Sequence, residues 1–191
     1  MGKSTQIRAV SERLREMGYE VVTGREPTDG PHGRRLRASA TEGRLEPEAE
    51  LELFIADRRE HVAGMIVPSL ARGAVVILDR YYFSTAAYQG ARGLDWRTIL
   101  ARNEEFAPEP DLLVWLDLPP EKSLERIRQR GDPANQFERM HQLELSRQIF
   151  SAIARPYLMR LDATASVGSI RDAVVAEVGR LASARVGPTP E

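Results

Sequence analysis

The chain of 191 residues contains no cysteine, and that one absence excludes disulfides, thiolate catalysis and cysteine-built zinc sites. Histidine is scarce too. His32, His61 and His141 are scattered without metal-ligand spacing, so surface or structural roles are expected for them. No apolar run approaches the roughly 20 residues needed to cross a bilayer. No charged-then-apolar leader opens the sequence, so a cytoplasmic protein without a membrane partner is expected. There is no excess of one charge: 27 basic and 28 acidic residues give a net charge of −1, which argues against a nucleic-acid partner. Repeats and low-complexity tracts are missing, and only residues 185–191 are expected to form a disordered tail.

What remains is an ordinary globular composition, 42% hydrophobic and 29% charged, in a chain long enough for one domain with a proper core. Ile7, Val10, Leu14 and Met17 recur at helical spacing from Ser4 and stop at Gly18. Glu20–Thr23 reads as a short strand, and Gly24–Gly43 as a loop followed by a helix near Arg34–Ala40. Glu48–Leu70 is the longest helical pattern, which Pro68 is expected to kink or end. The apolar run Ala74–Leu78 has the pattern of a strand buried on both faces of a parallel sheet, and Leu112–Leu116 repeats it. Further helices are predicted at Ser84–Tyr88, Trp96–Phe106, Pro119–Arg130, Phe137–Tyr157 and Ser169–Leu181, with a last short strand at Leu158–Leu161. Strands alternating with helices predict a doubly wound α/β fold, one domain over residues 1–184.

The chain opens Met1-Gly2-Lys3-Ser4-Thr5, and Gly-Lys-Ser-Thr is how the phosphate-binding motif G-x-x-x-x-G-K-[ST] ends. In that motif backbone N–H groups wrap phosphates at a helix N-terminus, the lysine adds a movable positive charge and the hydroxyl holds Mg²⁺. One of the two lysines in the chain falls here; the other is Lys122. Open α/β sheets bind ligands at the carboxyl ends of their strands, and the strand at 74–78 delivers Asp79-Arg80 to that edge. Such a carboxylate can hold Mg²⁺ directly or through water, and the arginine can clamp phosphate; a capped strand end with a surface ion pair would look the same. Phe54 and Arg58 are four apart and share a helix face. An aromatic plane beside a bidentate donor suits a nucleobase, although a core aromatic beside a solvated arginine has the same spacing.

Asp79-Arg80-Tyr81, Ser84 and Ala87-Tyr88-Gln89-Gly90 together resemble the DRY-xx-S-xx-AYQG segment of thymidylate kinases. Arg25-Glu26-Pro27 resembles that family's T-R-E-P loop, and Leu53-Phe54 with Arg58 its L-F-xxx-R helix. Arg126, Arg128 and Arg130-Gly131 resemble its arginine-rich approach to a lid, and Leu161-Asp162-Ala163-Thr164 its I-D-A-T segment near the adenine. The resemblance implies a P-loop NTPase-type doubly wound parallel sheet with a short lid at about 128–140. It implies a homodimeric kinase that transfers the γ-phosphate of ATP to dTMP with Mg²⁺. By the same resemblance Gly2, Lys3, Ser4 and Thr5 bind ATP, with Lys3 catalytic, while Ser4 and Asp79 hold the metal. Arg126 and Arg130 close over the γ-phosphate, Arg130 as a catalytic residue. Arg80 is catalytic on the acceptor phosphate, with Arg25 in the same neighbourhood, and Asp79 orients metal and acceptor. Phe54 stacks on thymine and Arg58 meets its exocyclic oxygen. Ser84, Thr85, Tyr88 and Gln89 read the base and the deoxyribose, and Glu26 reaches a metal-bound water or the sugar. Two other readings fit the motifs: a P-loop kinase for a different deoxynucleoside or deoxynucleotide, and a non-catalytic nucleotide-binding protein with a degenerate phosphate loop.

The sequence departs from the family in four places. The first strand and the first half of the phosphate loop are absent, which predicts a cleft in the middle of the sheet and a native start upstream of Met1. Thr28-Asp29-Gly30-Pro31 stands where many members have Gly-Gly-Thr-Pro. The lid reads Asn135-Gln136-Phe137-Glu138 in place of Asp-Arg-x-Glu; Gln136 supplies no positive charge, so either Arg130 or Arg139 substitutes or the lid is less active. The link from the long penultimate helix to the last strand is short.

Overall fold

The computed structural model describes residues 2–128 and 136–185, the side chains of 126–128, 136–139 and 185 excepted. Helix α1 (Lys3–Glu16) buries Val10 and Leu14, four residues apart, with Ile7 half-buried one turn earlier. Met17 does not continue the stripe and is exposed. The chain is already turning at Gly18, whose φ is +92°. There Gly18 N–H donates to the Arg15 carbonyl and Tyr19 N–H to the Leu14 carbonyl. Those bonds satisfy carbonyls that the ending helix orphans, and glycine is the residue that accepts the left-handed backbone they require.

Strand β1 (Val21–Arg25) leads to α2 (Pro31–Glu42). This helix starts three residues earlier than the sequence predicts, because Pro31 supplies a first-turn residue preset for the helix. Then α3 (Pro47–His61), a π-helical turn (Val62–Ile66) and α4 (Val67–Ala71) run on as one segment. Pro68 widens the helix instead of ending it. Its ring would strike the carbonyl four residues back, at Gly64, and the π turn opens the spiral there.

The order continues with β2 (Val75–Asp79), α5 (Tyr82–Gly90), α6 (Trp96–Glu104), β3 (Leu113–Asp117), α7 (Pro120–Arg128), α8 (Gln136–Ala152), β4 (Leu158–Asp162) and α9 (Val167–Arg185). Helix α5 begins two residues before Ser84, since Tyr82 and Phe83 are fully buried helical residues. Helix α8 stops at Ala152, five residues short of the predicted end. Arg155 precedes Pro156, and a residue before proline is driven out of the helical region.

Strands β1 and β2 pair in parallel, from Val21 opposite Val75 to Arg25 opposite Asp79. Strands β3 and β4 do the same, from Leu113 opposite Leu158 to Asp117 opposite Asp162. No strand among the described residues joins β2 to β3, so the parallel sheet is in two halves. This corrects one expectation: every residue of β2 and of β3 is half-buried, not buried on both faces. The apolar runs have helices over their faces but a strand on one edge only.

Two cores cover the halves. On one face Val10 and Leu14 of α1 meet Val174 and Val175 of α9 over Val21, Val75, Ile77, Val114, Met159 and Leu161. That helix pair therefore spans both half-sheets. On the other face Leu51, Ile55, Tyr82, Phe83, Ile99 and Ile153 pack with Leu78 and Leu113. Each fully buried aliphatic or aromatic side chain there contributes about 1.5–3 kcal/mol. No helix among the described residues is long and apolar enough to cross a membrane.

Candidate active site

The parallel register sets the site, because it brings the last residues of β1 and β2, Arg25 and Asp79, to the same edge. The N-terminus of α1 meets them there. Gly2 is extended, no side chain caps the helix, and no acidic residue lies in its first turn. Thr5 N–H and Gln6 N–H donate back to the Gly2 carbonyl at 3.1 and 3.4 Å. The N–H groups at the start of a helix have no carbonyl four residues before them, so the positive end of α1 is open to an anion. Lys3 and Ser4 are exposed. The Ser4 hydroxyl donates to Asp79 Oδ2 at 3.5 Å, while Asp79 Oδ1 is buried without a hydrogen-bond partner.

An orphaned buried carboxylate oxygen beside a hydroxyl is a hard-oxygen donor set, and it fits Mg²⁺. Among the described residues no group of three or more acidic or histidine side chains converges to hold a metal. A two-residue site suits an ion that keeps several waters and binds phosphate oxygens. Ser4, Arg8, Ser11, Thr23, Arg25 and Asp79 line a pocket of about 410 Å³. Arg80 follows at φ 72°, a left-handed backbone that costs a non-glycine residue roughly 1 kcal/mol or more. Its guanidinium lies 5.0 Å from the centre of the exposed Tyr88 ring.

On the opposite face of β1 the chain turns into a buried ionic network. Arg58 is 1% and Glu26 5% exposed. Arg58 donates to Glu26 Oε2 from Nε at 2.8 Å and contacts it from Nη2 at 2.6 Å. It also donates to Asn103 Oδ1 at 2.6 Å and to Thr85 Oγ1 at 3.0 Å. His61 Nδ1 lies 3.1 Å from the other Glu26 oxygen. Burial, with Glu26 adding to it, pushes the Tyr81 phenol well above its ordinary range, and the phenol donates to the Pro108 carbonyl.

The preceding residue on α3 does a related job. Buried Asp57 accepts from Thr28 N–H at 2.8 Å and from the Thr28 hydroxyl at 2.6 Å. Gly33 closes this contact, for a Cβ there would sit 2.0 Å from the Thr28 carbonyl oxygen. Asp57, Arg58 and His61 thus hold the whole turn that follows β1.

The residues singled out in the sequence are grouped unevenly. Ser4, Asp79 and Arg25 come together, as do Glu26, Arg58 and Thr85. Phe54 is half-buried and belongs to neither core, and Ser84 is half-buried on α5. Gln89 is buried, with its amide donating to Glu50, a carboxylate shared with Arg92 and Arg44. Arg130 lies outside the described residues, and Arg126 is described in its backbone alone. Sequence reading missed Asp57, Asn103 and Glu50. Asn103 carried a signal, as a polar residue one turn past Ile99 on an otherwise apolar face of α6.

At the far strand ends, Asp117 accepts from Arg147 on α8 at 2.8 and 3.0 Å and from Arg160 on β4 at 3.1 and 2.5 Å. Arg147 first, then Arg160, holds that carboxyl below its usual range. Asp162 is lowered by the N–H and hydroxyl of Thr164, both of which donate to it.

A model of the family described as thymidylate kinase matches residues 1–174. A thymidylate kinase of Xanthomonas campestris pv. campestris is 50% identical over 190 residues, covering 98% of this chain and 83% of the relative. One of Akkermansia muciniphila is 50% identical over 184 residues, 96% of this chain and 87% of the relative. One of Xylella fastidiosa is 46% identical over 186 residues, 97% and 89% of the two chains.

Proposed function

The chain belongs to the thymidylate kinase family, and we propose that it transfers the γ-phosphoryl group of ATP to dTMP, giving dTDP, with Mg²⁺ at Ser4 and Asp79. It is a phosphotransferase. One observation carries the chemistry: Ser4 Oγ, at an uncapped helix N-terminus, is 3.5 Å from a strand-end carboxylate whose second oxygen is buried and unpartnered.

Phosphoryl transfer asks little covalent help from the protein; rate comes from in-line positioning and from neutralising charge. When bound, Mg²⁺ supplies charge neutralisation at phosphate oxygens. Gly2, Lys3, Ser4 and Thr5 hold the donor phosphates at the α1 terminus. Arg80 and Arg25 grip the acceptor phosphate, and Arg126 and Arg130 bring positive charge to the transferred group. Phe54 and Arg58 read the base. Arg58 suits that task because Glu26, Asn103 and Thr85 already fix its guanidinium, so little reorganisation accompanies binding. Glu26 acts here through Arg58 and His61. Ser84, Thr85, Tyr88 and Gln89 line the deoxyribose side, where the Tyr88 ring excludes a 2′-hydroxyl. Exposed Val67 and Leu70 on α4 support a face for a homodimer.

Initial rates with dTMP, dUMP, dCMP, dGMP and thymidine as acceptors, at fixed ATP and Mg²⁺, test this directly. dTMP is expected to give the highest kcat/KM. Equal rates for all acceptors would make this a kinase of different specificity, and nucleotide binding without turnover would make it a non-catalytic binding protein.

A further inference from the structure

The turn Thr28-Asp29-Gly30-Pro31 departs from the family pattern, and the structure gives its aspartate neighbours that the proposed function leaves unused. Asp29 Oδ1 accepts from Arg25 Nη2 at 2.7 Å and from Arg37 Nη2 on α2 at 2.8 Å. Arg37 Nη1 also donates to the Pro27 carbonyl at 3.0 Å, and Arg34 Nη1 to the Asp29 carbonyl at 2.7 Å. Three arginines therefore converge on one short turn. Two guanidinium groups on a single oxygen repel each other unless an anion lies between them, and Asp29 is that anion. The Arg25 guanidinium foremost, then Arg37 and Arg34, holds its carboxyl below the usual range.

We propose that Asp29 is an internal counter-anion for the Arg25–Arg37 pair, which competes with the acceptor phosphate and so sets acceptor affinity. This rests on the acceptor site assigned above. Three features favour competition over permanent structure. The Asp29 side chain is 73% exposed and that of Arg25 61%, so the pair is held weakly and exchanges with other ions. Each contact is a single N–H to one oxygen, which leaves further N–H groups on both arginines for a ligand with more oxygens and more charge. Arg25 also lines the pocket with Ser4 and Asp79, so an anion that displaces Asp29 arrives at the catalytic edge. The turn itself does not move freely, because Thr28 is tied to buried Asp57. Asp29 therefore returns to one place each time the site empties.

Calorimetric titration of the full chain and of Asp29→Asn with dTMP, thymidine and inorganic phosphate tests the inference. The substitution keeps the side chain's size and removes its charge. Expected is a roughly threefold to tenfold lower Kd for dTMP, the scale of losing two exposed competing ion pairs. Inorganic phosphate should shift the same way and thymidine, which has no anion, should not. Adding Arg37→Ala to Asp29→Asn should cancel the gain. An unchanged or higher dTMP Kd in Asp29→Asn overturns the inference while the acceptor site stands, and so does a thymidine shift as large as that of dTMP. If the unsubstituted chain binds neither dTMP nor thymidine, the acceptor reading falls and the inference falls with it.

Discussion

Each half of the divided sheet has a carboxylate held by arginine at its carboxyl edge, in opposite surroundings. Beside β1, Glu26 and Arg58 have side chains 3% and 1% exposed, and Asn103, Thr85 and His61 complete the network. At the end of β3, Asp117 takes Arg147 and Arg160, which are 38% and 53% exposed. A buried ion pair costs several kcal/mol per charge in lost hydration and persists only when partners satisfy it closely. An exposed pair costs little, contributes little and exchanges with solvent ions. The first half therefore holds a fixed, buried ionic network, and the second a charged rim.

The largest effect is expected at the end of β2. Asp79→Ala should lower kcat at least about 100-fold, the scale for losing one preorganised charge-stabilising group, with an unchanged far-ultraviolet spectrum. A wild-type rate in that variant would remove Asp79 from the mechanism. Next, Arg58→Ala leaves Glu26 buried without its main partner and should cost about 3–5 kcal/mol in urea unfolding. It should also weaken dTMP binding more than ATP binding; equal losses would move the base pocket elsewhere. Arg160→Ala is the matching change on the rim and should cost less than about 1 kcal/mol. If the two arginines prove equally costly, the contrast between the halves is wrong.

The smallest effect concerns acid stability. The Asp117 carboxyl titrates lower in the folded chain than in the unfolded one, chiefly because of Arg147. Its stabilisation is thus present above the ordinary carboxyl pKa and is lost as pH falls through the lowered one. Asp117→Asn should remove that stabilisation at neutral pH and flatten the part of the acid unfolding curve below about pH 4. An acid limb identical to that of the unsubstituted chain would show that Arg147 and Arg160 do not stabilise the charged form.

Much of the fold was legible because local rules govern it. Gly18 ends α1 through a left-handed turn, and each apolar run became a strand. The errors have physical causes of the same kind. Met17 continues the periodicity of α1 but sits where the helix is already capped, and Arg155-Pro156 ends α8 before the apolar pattern does. Full burial of β2 and β3 was misread because an apolar run reports what a strand can bury, whereas its exposure depends on which neighbours flank it.

The motifs alone were sufficient to name the family the chain belongs to, because each chemistry demands particular side chains at short spacing. They could not say that Arg58 and Glu26 are buried partners, that Asp57 ties down Thr28, or that Asp29 stands between Arg25 and Arg37. Glu26–Arg58 and Thr28–Asp57 span 32 and 29 residues, and Arg37 reaches Asp29 from another element, α2. Sequence spacing orders side chains along one helix or strand; only packing of α2 and α3 against the end of β1 decides which charges meet, and which of them water can still reach.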